Sequence, residues 1–411
     1  MGNTSQHRGL AIRLAALTAL TPFAIDTYLA AIPRIAEDLQ SDVPTINLSI
    51  SVYLFGFALG QLAAGPLSDR IGRRPIALTG LTIFIVSSLA IVLSHSSDNF
   101  IFWRFIQALG GGGASVVSAA IVRDRFQGQE SARIFATIGM IMMVAPLIAP
   151  GVGSIFLAAA GWHSIFIFLA AYAVLLMWIM TKHIPETKKE HVTPTVSLSR
   201  HYVQAYAATL RQTASYPYLF SQALVSGILL TVITNASFIF LTYFEVSQLH
   251  FPFYFASVPL ASVVASRINL HLLRRTERRV ILRTAAIAQL LITALLVLYT
   301  WMSTPVIWVT MALICSVIAT IGFIYANNLS LYLDFHGKTG GSANAIFGCA
   351  TFAAGALFGG VSSLFYDGTL LPISILIGVC SLLSFMSLFK ATAEASPQQE
   401  QDEFPQKPST P

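Results

Sequence analysis

The stretch PIALTGLTIFIVSSLAIVLS, residues 75–94, runs for a full helical span without one charged side chain. A helix of this length rises about 30 Å, which matches the hydrocarbon core of a bilayer. The basic segment SDRIGRR, residues 68–74, precedes it, and the polar segment HSSDN, residues 95–99, follows it. An apolar run of this length between two polar boundaries predicts a membrane-spanning helix.

The same pattern recurs along the whole chain of 411 residues, of which 55% are hydrophobic and only 10% are charged. Soluble domains carry roughly a quarter charged residues, so this composition excludes an ordinary soluble protein. No polar stretch is long enough for a soluble catalytic domain. We predict an all-α, polytopic membrane protein with twelve transmembrane helices, at residues 10–32, 46–67, 75–94, 100–122, 134–157, 164–181, 218–243, 253–272, 280–301, 305–328, 342–365 and 371–390.

One long polar connection divides the twelve spans into two bundles of six. We predict an N-terminal bundle at residues 1–182, a cytoplasmic linker at 183–217, a C-terminal bundle at 218–391 and a disordered tail at 392–411. Internal similarities indicate a repeat: SDRIGRRP and LLRRTERR are both short basic loops, and Asp26 and Asn235 lie at similar depths in the first and seventh spans. Two repeated halves around a midplane site are typical of secondary transporters.

Positive charges fix the predicted orientation. Arg70, Arg73 and Arg74 fall in one predicted inside loop and the cluster 274–283 in another, whereas Arg34 lies outside. This asymmetry follows the positive-inside rule and places both termini in the cytoplasm. It also explains the net charge of +6 as a property of short loops facing a bilayer, so we expect no nucleic acid partner.

Asp26 lies inside TPFAIDTYLAAIP, residues 21–33, although a charged carboxylate within a span costs about 2.5 to 3.5 kcal/mol. It lies about 24 Å along the first span from the inner edge, and Arg104 lies about 6 Å inside the outer edge. The two side chains could therefore meet or couple through water. We predict that Asp26 and Arg104 are the proton-coupling residues, because a site exposed alternately to each side can load and release a proton. A static structural pair is the alternative.

The loop GPLSDRIGRRP is the most specific motif in the chain. Its residues resemble the signature loop of the major facilitator superfamily. Gly65 and Gly72 would permit a tight turn. Asp69 would pair with an arginine of a neighbouring span, Arg123 being the predicted partner, and so hold the inner gate. A plain positively charged hairpin is the alternative. The residues that match the motif are Gly65, Leu67, Asp69, Arg70, Gly72, Arg73 and Arg74.

More of the first half is similar to the bicyclomycin/chloramphenicol-resistance (Bcr/CflA) group of drug–proton antiporters. The similarity rests on AIDTYLAAIP, on YLFGFALGQLAAGPLSDRIGRRP, on RFIQALGGGGASVV with the RDRF that follows it, and on VAPLIAPGVGSIF. Ala30, Ala108 and Ser154 depart from the usual proline and glycines of that group. The resemblance implies an antiporter motif in the fifth span formed by Pro146, Pro150, Gly151 and Gly153.

Paired small residues in two spans predict close helix packing without substrate contact, at Gly56 and Gly60 and at Gly355 and Gly359. The substrate cavity should be lined by both halves, with aromatic walls and a few amides that suit a broad, mostly apolar ligand. The predicted lining residues are Tyr53, Phe57, Gln61, Asn235, Phe238, Tyr325, Asn327, Asn328, Phe347 and Phe352.

The sequence and the resemblance together predict a proton-coupled exporter of small amphipathic compounds, including antibiotics, in the bacterial inner membrane. We expect a monomer that uses a proton as coupling ion, with no other cofactor, no metal and no nucleotide, since no GxxxxGK[ST] loop is present. A dedicated exporter of one metabolite, such as a siderophore or an amino acid, is the main alternative. A membrane-embedded enzyme would need clustered catalytic groups, and a non-transporting receptor would not need Asp26 or Arg104.

Overall fold

The computed structural model describes residues 2–126, 128–184, 186, 206–336 and 340–394. Long α-helices make up nearly all of this part of the chain, and we number the twelve longest in chain order. They are α1 Gly2–Asp26, α2 Val43–Ile71, α3 Arg73–Val92, α4 Ser97–Arg125, α5 Gly128–Ala160, α6 His163–His183, α7 Tyr216–Thr234, α8 Phe251–Leu272, α9 Arg278–Met302, α10 Ile307–Asp334, α11 Gly340–Leu364 and α12 Leu371–Glu394.

Within the described residues, twelve helical segments are long and apolar enough to cross a membrane, and they coincide with the twelve predicted spans. The all-α fold prediction is therefore confirmed, and the chain is a multi-pass membrane protein. Two polar residues of the eighth predicted span, Arg267 and His271, lie in the last two turns of α8. Near a helix end such side chains can reach the interface, so they do not interrupt the apolar run.

The first span is broken directly after Asp26. Helix α1 ends at Asp26, a 3₁₀ turn follows at Leu29–Ala31, and a short helix at Ile32–Asp38 continues the span. Proline lacks the N–H that would bond to the carbonyl four residues earlier, so Pro33 explains a break at this level. The seventh span is also broken, at a depth similar to that of Asp26 in the first span. Helix α7 ends at Thr234, and a π-helical turn follows at Phe238–Tyr243.

Helix contacts repeat between the two halves. Helices α1–α6 contact one another, and so do α7–α12, with the pair α2–α4 corresponding to α8–α10 and the pair α1–α5 to α7–α11. The halves meet mainly through α2 with α11 and α5 with α8, two contacts that the same repeat relates. The exact domain boundaries stay predictions. Most of the linker 183–217 and the tail beyond 394 lie outside the described residues.

Glycines bring helices together where the sequence predicted close packing. A Cβ atom on Gly56 would lie 2.8 Å from the Phe105 carbonyl oxygen, and one on Gly60 would lie 2.5 Å from that of Leu109, both on α4. A Cβ on Gly355 would overlap Leu230 of α7. These contacts leave no room for a side chain, so the predicted close packing at Gly56, Gly60 and Gly355 is confirmed.

Candidate functional site

A cavity of about 750 Å³ lies between the two halves. We call the end of the molecule where residues 68–75 join α2 to α3 the loop face, and the other end the opposite face. Asp69 and Arg73 at the end of α2 and the start of α3, with Ser342 at the start of α11, line the cavity at the loop face. Thr18 of α1 lines it further in. The cavity is therefore open toward the loop face.

The opposite face is closed by contacts between the halves. On one side, the hydroxyl of Ser154 in α5 donates a hydrogen bond of 3.1 Å to the carbonyl of Gln248, just before α8. On the other side, Gly359 of α11 packs against Ser51 of α2. Ser154 is the residue that departs from the glycine usual in the antiporter motif, and here its hydroxyl ties the two halves together.

The cavity wall combines aromatic rings with uncharged hydrogen-bonding groups. Two of its walls are formed by α4 and α11. The hydrogen-bonding side chains include Thr18, Gln61, Ser115, Ser118 and Asn344, and the rings include Phe135, Tyr206, Tyr325 and Phe352. Among the described lining residues the only charged ones are Asp69 and Arg73, which form an ion pair with each other. The interior of the wall thus offers aromatic contact and neutral hydrogen bonds.

Three of the ten predicted lining residues, Gln61, Tyr325 and Phe352, line this cavity. A fourth, Phe57, lies directly behind the wall, with its ring centroid 4.9 Å from that of Phe352 in an edge-to-face contact. Tyr53, one turn from Phe57 on α2, is fully buried and contacts Arg104 instead.

The other five predicted residues do not line the cavity, because partners within the C-terminal half hold their side chains. Asn235 donates to the Ser362 hydroxyl at 2.7 Å and the Thr231 carbonyl at 2.8 Å. Asn327 donates to Asn269 and Asn328 to Ser221, so both amides join helices. The remaining two are aromatic rings that pack on other rings: Phe238 on Tyr366, and Phe347 on Tyr325 and Tyr332.

Asp26, the last residue of α1, is buried with 3% of its surface exposed. Among the described residues it has no hydrogen bond and no ion pair. A carboxylate in an apolar environment without a cation or a donor is costly when charged. Asp26 and Arg104 form no direct ion pair in the described part of the chain, and the predicted coupling between them stays a prediction.

Arg104 of α4 is fully buried between two tyrosine rings. Its guanidinium carbon lies 4.4 Å from the ring centroids of both Tyr28 and Tyr53, which is the geometry of a cation–π contact. Its Nη1 donates to Gln107 at 2.5 Å, and Gln107 donates to Ser88 at 2.7 Å. The Nε and Nη2 groups are buried and have no acceptor among the described residues. Arg104 therefore keeps unused donors beside the break in the first span.

The signature loop is held by carboxylates. Arg73 forms ion pairs with Asp69, four residues earlier, and with Asp124 at the end of α4, the latter at 2.9 Å. The predicted partner of Asp69 was Arg123, whose side chain lies outside the described part of the chain. In the structure Arg73 pairs with Asp69, because the turn at Gly72 brings the first residue of α3 back to the last turn of α2. Arg70 is exposed to solvent.

The two glycines of the loop differ. Gly72 makes the turn between α2 and α3 with φ of 120°, a conformation that side chains disfavour. A turn at Gly65 was predicted, and that prediction is wrong: Gly65 lies inside α2 and lines the cavity. The single turn at Gly72 is enough, since α3 begins at the next residue.

Sequence reasoning missed Glu186, which follows α6. Its carboxylate accepts hydrogen bonds of 3.0 Å from the backbone N–H groups of both Arg73 and Arg74, the first residues of α3. A carboxylate at a helix N-terminus satisfies free N–H groups and complements the helix dipole. Arg74 in turn donates to the Thr181 carbonyl of α6 at 2.6 Å. The acidic residue in the segment IPET after the sixth span was the only available signal.

The second half contains a counterpart of the Arg73–Asp124 pair. Arg278 at the start of α9 forms an ion pair with Asp334 at the end of α10 and donates to Ser330 at 2.7 Å. Helices α9 and α10 correspond to α3 and α4 in the repeat. The similarity between the two basic loops therefore extends to an equivalent ion pair within each bundle.

The predicted antiporter motif lies on the face of α5 that meets α1 and α8. Helix α5 contains Pro146 and Pro150 and remains one continuous helix. A Cβ atom on Gly151 would lie 4.0 Å from Pro252 of α8, whereas one on Gly153 would overlap the backbone carbonyl of Thr27 in the broken first span. The motif thus positions the segment that carries Asp26.

Comparisons with known proteins agree with this architecture. A family model described as Major Facilitator Superfamily matches residues 14–360. The chain is 27% identical over 392 residues to a bicyclomycin resistance protein homolog of Haemophilus influenzae, covering 93% of this chain and 96% of the relative. It is 35% identical over 183 residues to the multidrug resistance protein MdtL of Klebsiella pneumoniae, covering 44% of this chain and 47% of the relative.

Solved structures share the fold at low sequence identity. A D-xylose-proton symporter superposes with a TM-score of 0.71 at 14% identity, over 92% of this chain and 97% of that one. The xylose transporter XylE from E. coli, in a partially occluded inward open conformation, superposes with a TM-score of 0.68 at 14% identity, over 94% of this chain and 98% of that one.

Proposed function

Because the chain belongs to the major facilitator superfamily, we propose that it is a proton-coupled exporter of small amphipathic compounds that works by alternating access. The observation that carries the proposal is the cavity between the two halves, open at the loop face and closed at the opposite face. A bicyclomycin resistance homolog and a multidrug resistance protein are among its relatives, which supports export of antibiotics and similar compounds.

We place the protein in the bacterial inner membrane as a monomer, with the loop face and both termini in the cytoplasm. The basic residues of the loop face support this orientation through the positive-inside rule. In this orientation the cavity is open to the cytoplasm. An exporter in this conformation is ready to take its substrate from the cytoplasm or from the inner leaflet.

The coupling proton is assigned to Asp26. The carboxyl group is buried without a cation or a hydrogen-bond donor among the described residues, which suits a protonated side chain in this conformation. Arg104 has two unused donors and is the candidate partner for the charged form in another conformation. Proton influx supplies about 2.3 kcal/mol per 100 mV of membrane potential and about 1.4 kcal/mol per pH unit.

The cavity supports a substrate with an aromatic or apolar body and neutral hydrogen-bonding groups. Phe352 and Tyr325 offer ring surfaces, while Gln61 and Asn344 offer donors and acceptors. A volume of about 750 Å³ is within the range of sites for drug-sized ligands. A range of compounds rather than a single metabolite suits a wall that combines aliphatic and aromatic surface with scattered hydroxyl and amide groups.

We expect cells that express the protein to export several structurally unrelated antibiotics or dyes, and a protonophore to stop this export. The proton gradient is the only energy source in the proposed mechanism, so export should stop when the gradient collapses. The measurement is intracellular accumulation across a compound panel, in cells lacking their major exporters, with and without the protonophore. Export of one metabolite alone, or export insensitive to the protonophore, would contradict the proposal.

We expect Asp69→Asn to lower transport roughly tenfold while changing stability by less than about 1 kcal/mol. Arg73 keeps its bonds to Asp124 and Ser68, so the loop should still fold. Asp69 lines the cavity mouth, so losing its charge should disturb the closing of the loop face. The measurements are efflux rate and thermal unfolding in detergent.

The matched control is Asp98→Asn, which removes an exposed carboxylate at the opposite face, in the first turn of α4. It should leave efflux unchanged. If Asp69→Asn exported compounds as fast as the wild type and this control, Asp69 would have no role in gating. The basic loop would then only set the orientation of the protein in the membrane.

A further inference from the structure

At the opposite face, α2 of the first half packs against α7 and α11 of the second. They come close together at Gly359 of α11, where a Cβ atom would lie 2.6 Å from the hydroxyl of Ser51 and 2.9 Å from that of Thr234. We call these three residues, Ser51, Thr234 and Gly359, the seam. The seam joins the two halves through a glycine and two hydroxyl groups, one from each half.

Both hydroxyls of the seam are buried and have no hydrogen-bond partner in the part of the chain that the structure describes. Ser51 is 3% exposed and Thr234 is fully buried. The carbonyl oxygen of the Asn47 side chain, one turn away on α2, is also buried without a donor. Buried hydroxyls almost always find a partner, so such a group needs an explanation. Nearby Asn235 is satisfied by Ser362, which shows that the surrounding packing can pair polar groups.

The other contact between the halves differs. At α5 and α8, which the repeat relates to α11 and α2, the hydroxyl of Ser154 is paired with the Gln248 carbonyl. The two contacts that the repeat relates therefore differ. The Ser154 hydroxyl is paired, whereas the Ser51 and Thr234 hydroxyls at the seam are not. Unpaired hydroxyls weaken the closed seam relative to a state in which water or a ligand reaches them.

We infer that the seam is the release site of the transport pathway, where Ser51 and Thr234 bind uncharged hydrogen-bonding groups of the exported compound once the halves separate. The inference rests on the proposed export function. Hydroxyl groups donate and accept, so they suit hydroxyl, amide and carbonyl groups and offer no counter-charge to a cation. In the closed conformation Gly359 allows the two hydroxyls to approach, and the same contact excludes water.

The test is the reactivity of a cysteine at Ser51→Cys toward a membrane-impermeant thiol reagent added from the outside, in a protein whose Cys315, Cys349 and Cys380 are replaced by alanine. Gly359→Ala should raise the labelling rate about fivefold or more, because its methyl group cannot fit into the closed seam. Gly360→Ala is the matched control on the next residue. Its Cβ would meet Leu48 at 3.8 Å and the Cβ of residue 51 at 3.9 Å, both ordinary van der Waals distances, so labelling should stay unchanged.

A second variant keeps the test independent of how well Gly359→Ala folds. Thr234→Val keeps the shape of the side chain and removes an unpaired hydroxyl, so it should stabilise the closed seam and slow labelling about fivefold. Equal labelling rates in wild type, Gly359→Ala and Thr234→Val would overturn the inference. Labelling that occurs only from the cytoplasmic side would overturn it as well.

The ligand class is tested with compounds that the wild-type protein exports. A neutral, hydrogen-bonding compound at saturating concentration should protect Ser51→Cys from labelling, and Thr234→Val should weaken that protection. Protection by cationic compounds alone would overturn the assignment to uncharged groups. The labelling response to Gly359→Ala needs no substrate, so it separates the seam from the proposed function: the response would remain even if the compound panel showed no export.

Discussion

Replacing Asp26 by asparagine is expected to abolish concentrative export while leaving the protein folded and inserted. The amide has nearly the size of the carboxyl group and cannot exchange a proton. Because Asp26 has no hydrogen bond or ion pair among the described residues, the substitution removes no stabilising contact. With 100 mV and one pH unit, one proton supports a gradient of roughly several hundred-fold for a neutral compound, and the variant should fall to equilibration.

The decisive measurement is substrate-induced proton release from detergent-solubilised protein at several pH values. The wild type should release protons on binding an exported compound, and Asp26→Asn should not. Asp367→Asn is the control, since that carboxylate lies in an exposed turn between α11 and α12. Proton release by Asp26→Asn equal to that of the wild type would place the coupling group elsewhere in the chain.

The proposed role of Arg104 changes with the structure. In a permanent ion pair with Asp26, the donors of Arg104 would have a carboxylate acceptor. Instead, its Nε and Nη2 groups are buried without an acceptor among the described residues. The observed packing between Tyr28 and Tyr53 instead holds the cation in place without neutralising it. An arginine held in this way can accept a charged carboxylate in one conformation and stay apart from it in another, which is what alternating protonation requires.

Features set by local composition were predictable from the sequence. Twelve apolar runs gave twelve helices, because in a bilayer each run must satisfy its backbone within itself. The burial of Asp26 and Arg104 was predictable because each is a single charged residue within an apolar run. The turn at Gly72 followed from glycine in a short basic loop, although a second turn at Gly65 did not form.

Features set by helix rotation or distant contacts were not predictable. Several spans have aromatic or amide side chains on more than one side, and only packing decides which side faces the cavity, so Gln61 lines it while Asn327 bonds to Asn269. The partner of Asp69 could not be chosen among several nearby arginines of equal charge. Glu186 lies over a hundred residues from the N–H groups it caps, and no local pattern connects them.

Gly153→Ala is expected to destabilise the protein by about 1 to 3 kcal/mol or more and to lower export strongly. A methyl group at this position would overlap the backbone carbonyl of Thr27, the first residue after Asp26. A backbone atom cannot move aside as a flexible side chain would, so either α5 or the broken part of the first span must shift. In a chain of this size such a loss lowers the melting temperature by roughly 1 to 3 °C or more.

Gly151→Ala is the matched control, two residues away on the same helix and in the same motif. Its Cβ would lie 4.0 Å from Pro252, an ordinary van der Waals distance, so stability and export should change little. If Gly153→Ala melted and transported like Gly151→Ala, the close approach of α5 to Thr27 would be refuted. A Gly153→Ala protein that folds should still show altered substrate-induced proton release, because the displaced backbone is the one that holds the Asp26 carboxyl group in position.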